Sequence, residues 1–491
     1  MNTTFLGSFL DDGPNARPLQ WQLIQRLKHA ILQGQFPAGG KLPSSRALAE
    51  ELNISRNTVL IAYEQLTAEG YIIADRQGTR VAQLKSHQGS KHHTDAATAL
   101  IIKANKNALY AERLKPIAAS QRASDRTLPM TLGLPALNHF PIHLWRKAYD
   151  RALHEAPAAS LGYGNPLGEL ALRQAIAHHL RISRGVRCEA SHIVITEGAQ
   201  EALSLCVKLF TNPKDTAWVE EPGYRGAKNA FYAGDLNVIA MRVDNDGIVI
   251  PPQAWLTHSP RLIQTTPSHQ YPTGAVLSIT RRLDLIEQAR RVGAWIVEDD
   301  YDSEFRHQGE PIASMQGLMQ DSPVLYVGTF SKTMFPALRL GFLVLPECLT
   351  SPALISVISE ILRGGHRLEQ LAMAHFIESG QFSRHLGRMR RLYRERQYAL
   401  REALAAHLIV EHQVLGGNSG LHLTVRLPKT VSDQMLVAEA LKIGIGPTAL
   451  SAFAIEPTEE DNGLVIGYGN TSAERFHFLI KQLNNIVCAL S

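Results

Sequence analysis

Cysteine is scarce, with four in 491 residues at Cys188, Cys206, Cys348 and Cys488, and no Cys-x-x-Cys among them. That scatter argues against a disulfide framework or a zinc cluster and fits a reducing compartment. Long apolar runs are missing too, so no stretch approaches the length of a membrane span. The start, Met-Asn-Thr-Thr-Phe-Leu-Gly, lacks the basic residues and apolar core of a secretory signal, and a cytoplasmic protein is expected. Charge bias is slight: 50 Lys and Arg against 45 Asp and Glu leave +5, too little by itself to establish a nucleic-acid partner. What is present is an ordinary globular composition, 45% apolar and 19% charged. The chain is too long for one core, so two or more domains are expected.

The small basic excess is concentrated near the N-terminus. Residues 15–85 carry nine Lys/Arg against five Asp/Glu, a net of +4. There Leu23, Ile24, Leu27 and Ile31 recur at helical spacing over Leu19 to Leu32, and Gly34 and Pro37 end the pattern. Ser44 can cap a second helix, Ser45 to Leu52; Asn53 breaks it, and Ser55 can cap a third. Val59, Ala62, Tyr63 and Leu66 share one face of that third helix. Two short helices joined by a tight turn make a helix-turn-helix candidate. The run Tyr71-Ile-Ile, Asp75-Arg-Gln-Gly, Thr79-Arg-Val-Ala reads as a hairpin turning near Gly78. Ser55-Arg-Asn-Thr has the chemistry to meet phosphates and base edges. A small helical domain with a solvated face fits the pattern equally well.

Leu42-Pro-Ser-Ser-Arg-Ala-Leu-Ala, Ile54-Ser-Arg-Asn-Thr-Val and Leu66-x-x-x-Gly-Tyr together resemble the winged helix of GntR-type bacterial repressors. The resemblance implies that Arg46 and Arg56 grip operator DNA, with Ser55, Asn57 and Thr58 at the groove. It places Gln77 and Gly78 at a wing tip in the minor groove and Lys41 against a phosphate. A DNA-binding domain is therefore expected over residues 15–83. From 84 to 127 the periodicity fades, which reads as an interdomain linker. If flexible, its ~45 residues would span roughly 35–40 Å.

From residue 128 to 491, short apolar runs alternate with helix-length amphipathic stretches. This is an α/β pattern, a mostly parallel sheet between helices. Ligands of such sheets sit at the carboxyl ends of strands, where the informative residues recur. Glu197-Gly-Ala-Gln follows an apolar run and opens a helix, so the amides of Ala199 and Gln200 form a phosphate cradle. Glu221-Pro-Gly-Tyr aims Tyr224 away from the backbone, where it could stack on a ring. Trp295-Ile-Val leads to Glu298-Asp-Asp-Tyr-Asp. Asp299 there would be costly unless paired, and a pyridinium nitrogen is a fitting partner. Tyr301, two residues on, lies on the same side of an extended chain. Val324 to Val327 reads as a buried strand, followed by Thr329, Ser331 and Lys332, with Arg339 seven residues further. Burial favours the neutral amine needed to condense with an aldehyde. Two hydroxyls and a guanidinium suit a phosphate dianion. Pyridoxal 5'-phosphate meets both demands. Taken singly, each of these residues also has a plain structural reading as a tight turn, a core aromatic, a capped turn or a surface lysine.

The ordered series Gly-Ala-Gln, Pro-Gly-Tyr, Pro-Thr-Gly, Asp-x-Tyr, Ser-Lys, Arg-Leu-Gly resembles fold-type I pyridoxal phosphate enzymes, the aspartate aminotransferase superfamily. The resemblance implies Lys332 as the Schiff-base lysine, Asp299 on the ring nitrogen and Tyr301 on the phenolic oxygen. It stacks Tyr224 on the ring and leaves the phosphate to Ala199, Gln200, Thr329, Ser331 and Arg339. With the winged helix in front, the whole chain resembles MocR-type (GabR-like) transcriptional regulators. Such a protein is expected to be a homodimer on promoter double-stranded DNA. A small amine or amino acid effector would be sensed through a Lys332 aldimine, and the genes controlled would serve amino acid, amine or vitamin B6 metabolism. An active aminotransferase with an auxiliary DNA-binding domain is the alternative. Three positions depart from relatives. Tyr271 stands where ordinary aminotransferases place Asn, and Gly226 where GABA-sensing members place Arg. The segment Gly463-Leu-Val-Ile-Gly-Tyr-Gly, where the superfamily's arginine for a substrate carboxylate is sought, has none, and Arg426 is a candidate substitute.

Overall fold

The computed structural model describes residues 17–75, 78–83, 109–110, 113–114, 128–307 and 309–490. The chain divides into two compact units, Met1–Asn105 and Lys106–Ser491. Gln77 and nearly all of the expected linker lie outside the described residues.

In the first unit, helices Leu19–Leu32, Ser45–Leu52 and Arg56–Ala68 enclose Leu23, Leu27, Leu48, Val59 and Leu66. Ile72 and Val81 complete this core. They face each other across the antiparallel pair β1 (Ile72–Asp75) and β2 (Gly78–Val81). The turn between the second and third helices is built from its caps. Ser44 Oγ accepts from the Ala47 amide (3.2 Å), Asn53 turns left-handed at φ 51°, and Ser55 Oγ accepts from the Thr58 amide (3.1 Å). Each serine satisfies a helix-end amide that would otherwise lack a partner. The Tyr63 hydroxyl donates to the Pro43 carbonyl (2.8 Å), tying the third helix to the segment before the second.

The second unit is built on an eight-stranded sheet. Its strands are β3 (Ile193–Thr196), β4 (Thr216–Glu221), β5 (Asn237–Asp244), β6 (Gly247–Ile248), β7 (Leu262–Thr265), β8 (Trp295–Asp300), β9 (Val324–Thr329) and β10 (Gly341–Val344). The spatial order is β3-β10-β9-β8-β7-β4-β5-β6. From β9 to β5 every pairing is parallel, while β10 runs antiparallel to both β3 and β9. Helices Ala199–Phe210 and Arg225–Ala233 cover one face around Leu203, Phe231 and Val327; Ile279–Val292 covers another part around Trp218, Ile263 and Ile286. Strands buried on both faces read as continuous apolar runs, as Val324–Val327 does. A second sheet, antiparallel, lies toward the C-terminus in the order β11-β12-β14-β13. Its members are β11 (Gln413–Leu415), β12 (His422–Arg426), β13 (Thr448–Ala449) and β14 (Gly463–Gly467). The pattern expected from sequence did not separate this sheet from the larger one. No helix among the described residues is long and apolar enough to cross a membrane.

Candidate functional site

Three acidic residues at the end of β8 have three different fates. Asp300 is buried and accepts from Arg184 Nε (2.9 Å) and the Tyr326 hydroxyl (2.5 Å). Burial would raise its pKa, yet Arg184 and these hydrogen bonds hold it below the ordinary range. Asp302 pairs with His269, whose Nδ1 lies 2.9 Å from Oδ1. Asp299 is 4% exposed and sits opposite Val327 on β9. No hydrogen bond reaches its carboxylate among the described residues. Burial pushes it up to about 7, the charges of Asp300, Glu220 and Asp302 push the same way, and Lys332 opposes them. Asp299 is the acid in this cluster left wanting a cationic partner.

The lysine lies across the neighbouring strand end. Lys332 Nζ donates to the Gly133 carbonyl (2.7 Å). Gly133 is left-handed (φ 73°), and a Cβ there would stand 2.9 Å from Nζ, so only glycine leaves the amine its place. Thr329 and Ser331 bracket the turn, with Thr329 Oγ1 3.1 Å from Ser331 Oγ and 3.2 Å from its amide. Arg339, left-handed at φ 52°, donates from Nη2 to the Glu197 carbonyl (2.6 Å). That contact carries its guanidinium to Gly198, whose Cβ, if it had one, would be 3.6 Å from it. Gly198 is the N-cap of helix Ala199–Phe210, whose first amides lack intrahelical acceptors. The structure therefore gathers Arg339 and the Ala199–Gln200 turn at one place, although they are far apart in the chain. A helix start and a guanidinium suit an anion.

Tyr224 links the two ends. Burial pushes its pKa up to about 12; Asp299 adds to the rise and Arg339 opposes it, so the ring is within electrostatic reach of both. Its edge meets Tyr271 at 5.6 Å between centroids, and Tyr271 meets Tyr301 at 5.4 Å. Tyr271 thus fills an aromatic corner. Gly226 also has a packing reason: a Cβ there would lie 2.4 Å from the Tyr224 ring and 2.6 Å from Gln200 Oε1. Gln200 Nε2 donates to the Gly226 carbonyl (3.0 Å), so its side chain meets the same glycine as the Tyr224 ring while its backbone stays at the helix start.

The loop from Pro267 to Gly274 is anchored by a buried carboxylate. Glu220 is 1% exposed and accepts from Thr265 Oγ1 (2.6 Å), Thr266 Oγ1 (2.6 Å), the Thr266 amide (3.1 Å) and Gln270 Nε2 (3.1 Å). Four donors compensate its burial, which pushes the pKa up. This anchor sets His269 and Tyr271 beside Tyr301. The Tyr301 hydroxyl donates to the His269 carbonyl (3.0 Å) and lies 2.9 Å from His269 Nδ1. His269, Asp302, Glu220 and Gly133 carried no role in the sequence reading. The Pro-Thr-Gly motif that begins three residues after His269 was visible, but the pairing of His269 with Asp302 spans 33 residues, and Gly133 contributes only a carbonyl. Arg426 makes no hydrogen bond or ion pair with these side chains among the described residues. It ends β12, roughly 13 Å along the strand from His422, which does reach the site through Pro272.

In the first unit Lys41, Arg46, Ser55, Arg56 and Asn57 are exposed, as is Gly78, while Thr58 is half-buried. Arg56 Nε contacts Ser45 Oγ (3.4 Å), and Ser55 Oγ lies 2.9 Å from Thr58 Oγ1. Ser55 and Thr58 spend their hydroxyls on each other and on the cap, which leaves Arg56 and Asn57 as the outward-facing pair. The Lys41 side chain approaches within 4.0 Å of where a Gly78 Cβ would be, beside the hairpin turn.

Two family models match the chain: bacterial regulatory proteins of the gntR family over residues 19–81, and class I and II aminotransferases over 130–457. The chain is 35% identical over 481 residues to the "Probable rhizopine catabolism regulatory protein MocR" of Rhizobium meliloti, covering 96% of this chain and 94% of that one. It is 30% identical to the HTH-type pyridoxine biosynthesis transcriptional regulator PdxR of Corynebacterium glutamicum, covering 95% of each. Among solved structures, the α-aminoadipate aminotransferase LysN of Thermus thermophilus, complexed with N-(5'-phosphopyridoxyl)-L-leucine, matches with a TM-score of 0.70 and 26% identity. That match covers 78% of this chain and 97% of LysN. The chain belongs to the MocR-type helix-turn-helix transcriptional regulators, in which a gntR-family DNA-binding domain precedes a class I and II aminotransferase domain.

Proposed function

We propose that this regulator holds pyridoxal 5'-phosphate on Lys332 and answers to a small amine or amino acid by changing its grip on promoter DNA. The observation that carries the reading is Asp299, a buried carboxylate with no hydrogen-bonded partner among the described residues, one strand away from a half-buried lysine. Their charges suit the cofactor: a buried carboxylate for the pyridinium, and a guanidinium beside a helix start for the phosphate. Lys332 would hold the aldehyde carbon, Asp299 the ring nitrogen and Tyr301 the phenolic oxygen. Tyr224 would cover the ring. Arg339, Thr329, Ser331 and the amides of Ala199 and Gln200 would hold the phosphate. When bound, the cofactor supplies an electrophilic carbon and an electron sink, open to attack by an incoming amine. Asp299 would keep the ring nitrogen protonated, and the Gly133 carbonyl, which accepts from Lys332 Nζ (2.7 Å), would orient the amine.

On the DNA side, Arg46, Arg56 and Lys41 would meet phosphates, with Asn57 at base edges and Gln77 and Gly78 at the wing. Residues 84–127 would tether the two units, and pairing of two chains would present two heads to repeated half-sites. LysN, an α-aminoadipate aminotransferase, supports amine chemistry in this fold as a second reading; turnover of ~1 per second or faster with an amino donor and keto acid would favour it. The test is borohydride reduction after incubation with pyridoxal phosphate. Wild type should gain the mass of one phosphopyridoxyl group and Lys332→Ala none. An unmodified wild type would overturn the proposal. Promoter-fragment shifts with and without a panel of amines then identify the effector.

A further inference from the structure

We propose that His269, fixed by Asp302, is a positioning residue that aims the Tyr301 hydroxyl at the phenolic oxygen of the bound cofactor. The inference rests on the Lys332 reading and deepens it. His269 and Asp302 are 3% and 2% exposed. Nδ1 of His269 lies 2.9 and 3.2 Å from the two Asp302 oxygens and 2.9 Å from the Tyr301 hydroxyl. A carboxylate only accepts, so an unprotonated Nδ1 would oppose lone pair to lone pair. The proton therefore sits on Nδ1 and is donated. Nε2 becomes the lone-pair nitrogen, and it is buried without a hydrogen-bond partner among the described residues. The ring cannot turn over freely. A Cβ on Gly420 (φ 86°) would lie 2.2 Å from His269 Cε1 and 2.5 Å from Asp302 Oδ2, and one on Gly274 (φ 78°) would lie 3.2 Å from Nε2. Two glycine backbones thus clamp imidazole and carboxylate together.

The ligand atoms of His269, Asp302 and His422 approach within 4.8 Å, a spacing that would admit a cation. One nitrogen of each imidazole is already engaged, however. His269 Nδ1 serves Asp302, and His422 Nε2 donates to the Pro272 carbonyl (2.9 Å). The positioning role uses hydrogen bonds that these side chains already make, whereas a cation would recruit His269 Nε2, which lies outside them.

The protons balance without transfer. Tyr301 has one, now given to the His269 carbonyl at 3.0 Å. An anionic phenolic oxygen is a stronger acceptor than a carbonyl. The hydroxyl would rotate to it, and the one imidazole N–H, shared between Asp302 and Tyr301, would support the hydroxyl oxygen from behind.

Removing a donor from an anionic oxygen makes that oxygen more basic. The pH midpoint of the cofactor's visible band in loaded full-length protein should therefore rise by about one to two units in Tyr301→Phe, the worth of a hydrogen bond to a charged group. His269→Leu should raise it by about one unit, roughly a tenfold change in proton affinity. His269→Asn, which restores an N–H near the Nδ1 position, should stay within a few tenths. Asp302→Ala is the second probe should His269→Leu not fold, and should move the midpoint in the same direction. A midpoint in His269→Leu or Asp302→Ala equal to wild type overturns the inference. Failure of the wild type to take up cofactor overturns the Lys332 reading instead.

Discussion

Replacing Asp299 by Asn separates the cost of this carboxylate from its use. In the folded chain burial, Asp300, Glu220 and Asp302 move it from 3.8 to about 7, against the pull of Lys332. A rise of about three units corresponds to roughly 4 kcal/mol of ionisation penalty once the group is fully charged. The folded state binds this proton more tightly than the unfolded state. Stability from this group is therefore intact below about pH 4, falls as pH climbs to about 7, and levels off beyond. Asn carries no charge. Cofactor-free Asp299→Asn should thus melt above wild type at pH 8, with a gain of up to a few kcal/mol, and the gap should narrow toward pH 5. Adding cofactor reverses the ranking. A pyridinium N–H would draw the Asp299 pKa back down, and breaking a buried pair costs about 3–5 kcal/mol. Affinity should then weaken by roughly 10²–10³-fold or more. Melts followed by tryptophan fluorescence at pH 5 and 8, with a cofactor titration on each variant, read both effects. A cofactor-free Asn variant less stable than wild type at pH 8 would mean the carboxylate is already paired. Unchanged cofactor affinity would remove Asp299 from the ring nitrogen.

Arg56→Ala should weaken promoter binding by about 1–3 kcal/mol and, if Arg56 meets a phosphate, lower the salt slope by about one; gel shifts at several salt concentrations measure both, and cofactor absorbance should not change. Ser55→Ala removes the cap on the Thr58 amide and should destabilise the first unit by about 1 kcal/mol in urea melts. Gly226→Ala would set a Cβ 2.4 Å from the Tyr224 ring; overpacking of about 1–3 kcal/mol should shift the ring and weaken cofactor binding in an absorbance titration, while promoter binding by cofactor-free protein stays as in wild type.

The first unit was legible because its determinants are local. Ser44, Asn53 and Ser55 act within three or four residues of themselves, and the three helices and the hairpin stand where periodicity placed them. The strand-end residues of the second unit were legible for a related reason. A short buried strand leaves a plain apolar run, and whatever follows it must stand at the sheet's carboxyl edge. The rest depends on which strands pair. Residues of β8 and β9 meet only through the register Asp299 to Val327 and Asp300 to Gly328. His269 and Asp302 meet because β7 and β8 are neighbours and Glu220 on β4 ties down the loop between them. Gly226 looked like a missing arginine. Its role is to leave room for an aromatic ring, which no local pattern reveals.

How a ligand at Lys332 could alter DNA affinity is limited by thermodynamics more than by geometry. The two units have separate cores, so folding of one does not by itself report on the other. An effector that binds every arrangement of the chain equally would shift nothing, however tightly it bound. To change promoter affinity tenfold it must favour one arrangement by about 1.4 kcal/mol. The same factor must appear in reverse: saturating promoter DNA must change effector affinity tenfold, in the same direction. The aromatic corner of Tyr224, Tyr271 and Tyr301 is a suitable transducer, because an amine arriving at Lys332 would meet side chains held by the Glu220-anchored loop and by His269. Effector titrations followed by cofactor absorbance, with and without promoter fragment, measure that reciprocity directly. An effector affinity indifferent to DNA would mean that the two units share a chain but not an equilibrium.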